Sequence, residues 1–306
     1  MKKDFISIAE LTRTDVHEIL ALTDTLKSDP TIKPLAGKTV ATIFQKPSLR
    51  TRVSFEVGIV QLGGHPVYLG NESIGMGSRE SVADIANMLT RFCDAIVARV
   101  YQHEIIVELA KHSTVPVINA LTDLSHPCQI MSDAYTLRQH GKLRDGVKIA
   151  YIGDGNNIVN SWLELSMLLP LHLSLAVPVG YEPDRTILDA AKNAGVSTIE
   201  LVHSPAEAAK DADVIYSDTW VSMGQEQDKI RRMYDFWEYQ VNATLLKRAK
   251  DDVIVMHCLP AHRGEEITDE VLDGSHSVVY DQGENRLHVQ KALLTKLVAP
   301  QRRSHE

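Results

Sequence analysis

Cysteine is scarce in this sequence. The 306 residues include three cysteines, Cys93, Cys128 and Cys258, which are odd in number and far apart. A disulfide framework requires paired cysteines, and a zinc site requires cysteine and histidine ligands at short, regular spacings. The cysteine pattern therefore indicates neither a disulfide-stabilised fold nor a zinc-binding domain.

Long apolar runs and an excess of positive charge are also absent. No apolar run reaches about 18 residues, the length that crosses a bilayer, and residues 1–5 (MKKDF) lack the apolar core of a signal peptide. We therefore expect a cytoplasmic protein that does not enter a membrane. The net charge of −8 argues against nucleic-acid binding, which needs a broad basic surface. A single small anion needs only a local basic cluster.

What the sequence does contain is an ordinary globular composition, with 44% hydrophobic and 24% charged residues. Short β-branched apolar runs alternate with longer helical patterns, which is typical of parallel sheets covered by helices. Most runs are apolar throughout, so we expect strands that are buried on both faces. The predicted strands are residues 39–44, 66–69, 95–100, 116–121, 147–152, 173–177, 198–202, 214–217, 253–256 and 278–280.

The polar, glycine-containing segment 138–146 precedes a new strand and marks the best domain boundary. We therefore predict a two-domain α/β protein, with a first domain over residues 1–140 and a second over residues 147–283. A final helix over residues 284–298 is long enough to pack back on the first domain. In open parallel sheets ligands bind at the C-terminal ends of strands, so polar residues that follow strands are the functional candidates.

The segment 44–52 (FQKPSLRTR) predicts an anion site. It follows an apolar run and begins a helical pattern. Ser48, Arg50, Thr51 and the unpaired N–H groups of the first helical turn would converge on one point, where the helix dipole adds positive potential. The alternative is a serine-capped helix whose arginines face solvent.

Two further candidate groups follow the next strands. Arg99 lies near the end of its run, where it would either reach a ligand or pair with a surface acid. His126 precedes Pro127, which suits the first position of a helix, and Gln129 follows one turn later. Together His126 and Gln129 could donate hydrogen bonds to a carbonyl oxygen. Alone, His126 would be a capping or core histidine.

Two features of the second half suit an amino-acid ligand. The turn 153–157 (GDGNN) resembles part of a dinucleotide-binding motif, but Ile158 takes the place of the third glycine. A tight turn that directs asparagine side chains toward a ligand fits equally well. Asp218 precedes a loop with Ser222, so its carboxylate could bind an ammonium group while loop N–H groups bind a carboxylate. Otherwise, Asp218 simply caps the next helix.

Cys258 follows another predicted strand. Its polarisable thiol and the carbonyl group of Leu259 could contact a reacting amine, although a buried structural role is the commoner one for a single cysteine. Arg286, near the start of the last predicted helix, could turn toward the ligand or remain on the surface.

Four fragments, taken in order, closely resemble the signature set of ornithine carbamoyltransferases. They are residues 48–52 (SLRTR), 126–129 (HPCQ), Asp218 with 222–224 (SMG), and 257–260 (HCLP). The likeness extends from about residue 5 to residue 298, and each fragment follows a predicted strand. The resemblance implies two parallel-sheet domains flanked by helices, with the active site in the cleft between them. It also implies transfer of a carbamoyl group from carbamoyl phosphate to ornithine, without a metal or organic cofactor.

The resemblance assigns roles to individual residues. For carbamoyl phosphate, it implies contacts with Ser48, Leu49, Arg50, Thr51, Arg99, His126, Gln129, Cys258, Leu259 and Arg286. For ornithine, it implies contacts with Asn157, Asp218, Ser222 and Met223. We expect Arg99, His126 and Cys258 to act on the reacting atoms.

Two positions depart from the family pattern. Leu49 stands where the family commonly has threonine, but that residue contributes mainly its N–H group. In relatives, the loop over residues 70–79 reaches into a neighbouring subunit's site and often carries glutamine or histidine where Gly75 stands here. Here Ser73 or Arg79 would have to substitute for that glutamine or histidine. This loop implies a homotrimer or a multiple of trimers.

Other functions remain open at this point. N-acylated ornithine, putrescine or aspartate could replace ornithine, although aspartate would need basic residues for its second carboxylate. An NAD-dependent oxidoreductase would use Gly153 and Gly155. A non-catalytic binding protein could keep the same fold.

Overall fold

A computed structural model describes residues 1–77, 79–222 and 226–299. The chain forms two compact units. The first contains residues 1–132 and the C-terminal segment that begins at Glu284, and the second contains residues 133–283.

The first unit is built on a parallel sheet with strand order β2-β1-β3-β4. Strands β1 to β4 are Thr39–Phe44, His65–Gly70, Ala95–Arg99 and Val117–Leu121. Helices α1 to α6 are Arg13–Ser28, Arg50–Gln61, Asn71–Ile74, Val82–Phe92, His103–His112 and Pro127–Gln139. The central strands β1 and β3 are buried almost throughout, whereas the edge strand β2 is partly exposed. Helix α6 ends beyond the boundary between the units.

The second unit has a five-stranded parallel sheet with strand order β7-β6-β5-β8-β9. Strands β5 to β9 are Lys148–Ile152, His172–Ala176, Thr198–Val202, Val214–Ser217 and Ile254–His257. Helices α7 to α13 are Asn157–Ser166, Arg185–Ala194, Pro205–Ala209, Lys229–Asp235, Ala243–Leu246, Asp269–Leu272 and Val279–Val298. Helix α13 begins in this unit and ends in the first.

The strand order reverses once in each sheet, and ligands gather at such points in open α/β sheets. In the first sheet the reversal lies between β1 and β3, where Phe44 is paired with Arg99. In the second it lies between β5 and β8, where Ile152 is paired with Ser217. The start of α2 therefore lies beside the end of β3, and the turn 153–157 lies beside Asp218.

The predicted α/β fold with two parallel sheets is confirmed. The first nine predicted strands have ends within one residue of the observed ones, but the predicted strand 278–280 is wrong. Helix α13 begins at Val279, rather than at residue 284. Val279 and Gln282 are buried and Tyr280 is exposed, which is a helical pattern. A short apolar run cannot be distinguished from a buried helical turn by periodicity alone.

Gly283 weakens the first turns of α13 without a packing reason. A Cβ atom added at Gly283 would meet no other atom within 4 Å. Because glycine costs about 0.5–1 kcal/mol relative to alanine inside a helix, Gly283→Ala should raise stability by that amount. We expect a melting temperature about 1–4 °C higher, measured by calorimetry.

Gly58 in α2 is the matched control. A Cβ atom there would lie 3.3 Å from Lys291 Cγ and 3.4 Å from Leu287 Cδ1. Gly58→Ala should therefore raise stability less than Gly283→Ala does, or should lower it. A Gly283→Ala variant that melts at or below the wild-type temperature would contradict this explanation.

Candidate active site

The first cluster of candidate residues surrounds the start of α2. Ser48 Oγ accepts a hydrogen bond from the Thr51 N–H group at 3.2 Å, so the serine caps the first turn. Arg50 is the first helical residue. The Leu49 side chain is 71% exposed, which leaves its backbone N–H group as the part that could serve a ligand. The N–H groups of the first helical turn and the helix dipole make this helix end attractive to an anion.

Two buried arginines meet at one hydroxyl group beside this helix end. Arg99 Nη1 donates to Thr51 Oγ1 at 3.2 Å, and Arg286 Nη2 donates to the same oxygen. Arg99 is 6% exposed and Arg286 is 3% exposed, so Arg286 is not a surface arginine. Two cations held together away from water repel each other, and an anion between them relieves that repulsion. The cluster suits a phosphate group or a developing oxyanion.

His126 belongs to the same unit and directly precedes α6. Burial, and then the charges of Arg286 and Arg99, hold the pKa of His126 well below its ordinary value. At pH 7 the imidazole is therefore neutral and can donate one hydrogen bond without adding charge. Gln129 is also buried. Burial raises the pKa of the Cys128 thiol to about 12, which makes that cysteine unreactive.

Asp218 is the centre of a second cluster, in the second unit. Its Oδ1 atom accepts hydrogen bonds from the Cys258 thiol and from the Thr219 N–H group, both at 2.8 Å. Its Oδ2 atom accepts from Asn156 Nδ2 at 2.8 Å. Since residues 219–222 are not helical, Asp218 does not act as a simple helix cap. A buried, oriented carboxylate of this kind suits an ammonium group.

The glycines of the turn 153–157 have a structural explanation. A Cβ atom on Gly155 would lie 2.4 Å from Pro183 N and 2.4 Å from Tyr181 O. Gly155 therefore allows two backbone segments to approach closely. This packing accounts for the glycine without a dinucleotide.

The residues after β9 are held by buried hydrogen bonds. Leu259 has the left-handed φ of 57°, and its N–H group donates to His257 Nδ1 at 2.9 Å. The His257 N–H group donates to Gln282 Oε1 at 2.9 Å, and His257 Nε2 lies 3.3 Å from Glu266 Oε1. A non-glycine residue keeps this backbone conformation only where its surroundings impose it. His257 supplies that constraint beside Cys258.

Two groups in the described part of the chain have the donor types of a metal site, each with donor atoms within 4.8 Å of one another. They are Asp218, His257 and Cys258, and His262, Glu265 and Glu266. In the first group, the thiol already donates to the carboxylate, and the imidazole already accepts a backbone hydrogen bond. In the second group, Glu265 pairs with Lys229 at 3.3 Å. Protein contacts therefore account for the donors of the first group and for Glu265 in the second.

The structure brings Thr51, Arg99 and Arg286 together in the first unit, and the charges of both arginines act on His126. In the second unit it places Cys258 against Asp218. Asn157 begins α7 and Ser222 is half-buried, whereas Met223 lies outside the described residues. Sequence reasoning identified the turn 153–157 and its asparagines, but it gave no individual role to Asn156, which donates to Asp218. It also gave no role to Arg232, a buried residue of α10 that donates a hydrogen bond to Asp154, because no local sequence signal marks that pair.

Within residues 1–77, 79–222 and 226–299, no helix is long and apolar enough to cross a membrane.

Two models of known protein domains match the chain. Residues 3–139 match the aspartate/ornithine carbamoyltransferase carbamoyl-P binding domain, and residues 145–297 match the Asp/Orn binding domain of the same family. The chain is 51% identical over 304 residues to the ornithine carbamoyltransferase of Chlorobaculum tepidum, covering 97% of this chain and 90% of the relative. It is 48% identical over 297 residues to the chloroplastic ornithine carbamoyltransferase of Pisum sativum, covering 95% of this chain and 79% of the relative.

Solved structures show the same similarity. The ornithine carbamoyltransferase from Pyrococcus furiosus superimposes with a TM-score of 0.92 at 46% identity, covering 97% of each chain. The anabolic enzyme from Campylobacter jejuni gives a TM-score of 0.93 at 36% identity, covering 97% of this chain and 99% of that one.

Proposed function

The chain belongs to the aspartate/ornithine carbamoyltransferase family, and from this premise we propose that it transfers the carbamoyl group of carbamoyl phosphate to the side-chain amine of L-ornithine. The products are L-citrulline and phosphate. The close relatives named above are ornithine carbamoyltransferases. In this proposal residues 1–140, with residues 284–298 of α13, bind carbamoyl phosphate, and residues 147–283 bind ornithine.

We assign carbamoyl phosphate to the cluster around Thr51. Ser48, the Leu49 N–H group, Arg50 and Thr51 bind the phosphate, and the start of α2 adds positive potential. Arg99, His126 and Gln129 hold the carbamoyl end. The support is the meeting of two buried guanidinium groups at the Thr51 hydroxyl. Arg286 completes this set.

The hydrogen-bonded carboxylate of Asp218 supports the assignment of ornithine as the amine substrate. A carboxylate recognises the α-ammonium group of a free amino acid, which acylation would remove. Aspartate would instead require cations for its second carboxylate, and putrescine has no carboxylate to place. Asn157, Ser222 and Met223 complete the ornithine contacts in this proposal.

The reaction needs alignment and charge stabilisation rather than a covalent enzyme intermediate. The neutral amine attacks the carbonyl carbon, so negative charge develops on the carbonyl oxygen and on the departing phosphate. Arg99, His126 and Thr51 stabilise the first charge, and Ser48 and Arg50 stabilise the second. Ornithine's side-chain amine has a pKa near 10 in water and must lose a proton before it attacks. Cys258, which is hydrogen-bonded to Asp218, assists the loss of that proton, and the Leu259 carbonyl group contacts the amine.

The amine substrate is tested by comparing kcat/KM for ornithine, N-acetylornithine, putrescine and aspartate, each with saturating carbamoyl phosphate. We expect ornithine to exceed every other amine. A higher kcat/KM with another amine overturns the substrate assignment, and the absence of turnover with all four supports a binding protein. Thermal protection by NAD would support an oxidoreductase instead.

We also propose that the enzyme is a homotrimer, or a multiple of trimers, that works in arginine biosynthesis in the cytoplasm. An exposed apolar stripe on α2, formed by Val53, Val57 and Val60, supports burial against a second copy of the chain. The partly exposed edge strand β2 belongs to the same unit.

Sedimentation tests this assembly. We expect the active species to sediment with three times the 34.0 kDa chain mass, or a multiple of that value. Val57→Glu should weaken association, because it would bury a charge in the interface. An active wild-type monomer would contradict the proposed assembly.

A further inference from the structure

Arg232 is a buried arginine that the proposed reaction does not use. It lies on α10, is 8% exposed and donates two hydrogen bonds from its Nη1 atom. One goes to Asp154 Oδ2 at 2.9 Å, and the other goes to the backbone carbonyl of Trp220 at 2.7 Å. Hydrogen bonds from a charged donor are stronger and more directional than neutral ones.

Aromatic rings hold the Arg232 guanidinium group in place. Its carbon lies 4.9 Å from the centre of the Tyr181 ring and 5.7 Å from the centre of the Phe236 ring. These distances are within the range of cation–π attraction. Tyr181 is itself fixed, since its hydroxyl donates to Asp235 Oδ2 at 2.7 Å. The guanidinium group therefore has one well-defined position.

The two acceptors of Arg232 belong to the segments that carry the ornithine candidates. Trp220 is fully buried and lies two residues after Asp218. Asp154 lies two residues before Asn156, whose amide donates to Asp218. Arg232 therefore ties the turn 153–157 to the segment 218–222.

We propose that Arg232, held by Asp154, is a positioning residue for ornithine that fixes the Asp218 carboxylate through the backbone of residues 218–222. This inference rests on the proposed function. Arg232 need not touch the substrate, and its loss should weaken ornithine binding while it leaves carbamoyl phosphate binding intact.

The protonation of Asp154 offers a test in the unmodified protein. Burial, with a smaller contribution from the Asp218 charge, raises the pKa of Asp154 to about 6 although Arg232 opposes the shift. Tyr151 also faces this group, and burial, followed by the charges of Asp218 and Asp154, raises the pKa of its hydroxyl group. Protonation of Asp154 below about pH 6 removes the negative partner of Arg232. The link between the turn 153–157 and the segment 218–222 should therefore weaken as the pH falls.

The mutational experiment compares Arg232→Met with Arg231→Met. Arg231 is the matched control, because its side chain is 79% exposed and its Nε atom lies 3.5 Å from Oδ2 of the half-buried Asp235. We expect Arg232→Met to raise the KM for ornithine at least about ten-fold, with a smaller change in kcat and an unchanged KM for carbamoyl phosphate. Arg232→Lys should recover part of the loss, and Arg231→Met should resemble the wild type.

A pH experiment covers the case in which the Arg232 variants do not fold. L-Norvaline keeps the α-amino and α-carboxylate groups of ornithine but has no side-chain amine to titrate. With saturating carbamoyl phosphate, its affinity for the wild-type enzyme should fall between pH 7 and pH 5. Asp154→Asn should bind norvaline more weakly at pH 7 and show a flatter pH dependence.

The results separate this inference from the proposed function. A wild-type enzyme that turns over ornithine, together with a folded Arg232→Met variant of unchanged ornithine KM, overturns only the role of Arg232. A parallel rise of both KM values overturns it too, as does an Asp154→Asn variant with the wild-type pH dependence. A wild-type enzyme that binds but does not carbamoylate ornithine contradicts the proposed function itself.

Discussion

Arg99→Met is expected to lower kcat for citrulline formation about 1,000-fold, the cost of removing a well-placed donor to a developing oxyanion. Arg99 is buried, and its guanidinium group donates to the Thr51 hydroxyl beside the start of α2. Methionine fills a similar volume but brings neither charge nor hydrogen-bond donors. The loss should appear mainly in kcat, because the interaction strengthens as negative charge develops on the carbonyl oxygen.

Arg91→Met is the control for Arg99→Met, since Arg91 is an exposed arginine near the end of α4. Its activity should equal that of the wild type. Circular dichroism and the melting temperature should confirm that both variants are folded. A folded Arg99→Met variant that keeps kcat within about ten-fold of the wild type would remove Arg99 from the catalytic assignment.

Asp218→Asn is expected to lower kcat/KM for ornithine by about 100- to 1,000-fold, which is the usual cost of neutralising one member of a desolvated charge pair. The asparagine keeps the size of the side chain, but it cannot offer a negative charge to the α-ammonium group. It also removes the carboxylate that accepts from the Cys258 thiol at 2.8 Å. Deprotonation of the reacting amine should therefore weaken along with binding.

The affinity for carbamoyl phosphate distinguishes Asp218→Asn from a general loss of structure. Isothermal titration calorimetry should give the wild-type dissociation constant for carbamoyl phosphate or inorganic phosphate, because the residues proposed to bind phosphate belong to the first unit. Asp189→Asn, at a surface position on α8, should leave both substrates unaffected. Equal losses for both substrates in Asp218→Asn would indicate damage to the fold rather than loss of an ornithine contact.

The sequence predicted most of the fold because its strands carry strong local signals. The predicted run 147–152, which contains β5, is mainly apolar and β-branched, follows Gly146 and ends in the turn 153–157, so each local preference indicates the same structure. The prediction of where α13 begins failed because Val278 and Val279 are compatible with either a strand or a buried helical turn. Only the buried polar residue Gln282, one turn later, marks the helix, and polar residues at buried positions are poorly predicted from sequence.

The candidate site was predictable where one short segment carries several of its residues. Ser48, Arg50 and Thr51 follow one strand, and the helix start brings Ser48 and Thr51 into hydrogen-bond contact. The contact between Asn156 and Asp218 joins residues 62 positions apart, and the bond from Arg232 to Asp154 joins residues 78 positions apart. No periodicity or spacing specifies such pairs, since strand order and the packing of α10 bring them together.

The destination of the carbamoyl group is the most direct test of the central claim. Carbamoyl phosphate labelled with ¹³C at the carbonyl carbon is mixed with ornithine labelled with ¹⁵N at the side-chain nitrogen, and the products are followed by NMR. We predict a one-bond carbon–nitrogen coupling in citrulline, with one phosphate released for each citrulline formed. Phosphate release without that coupling, or a carbamoyl group on the α-nitrogen, would contradict the account.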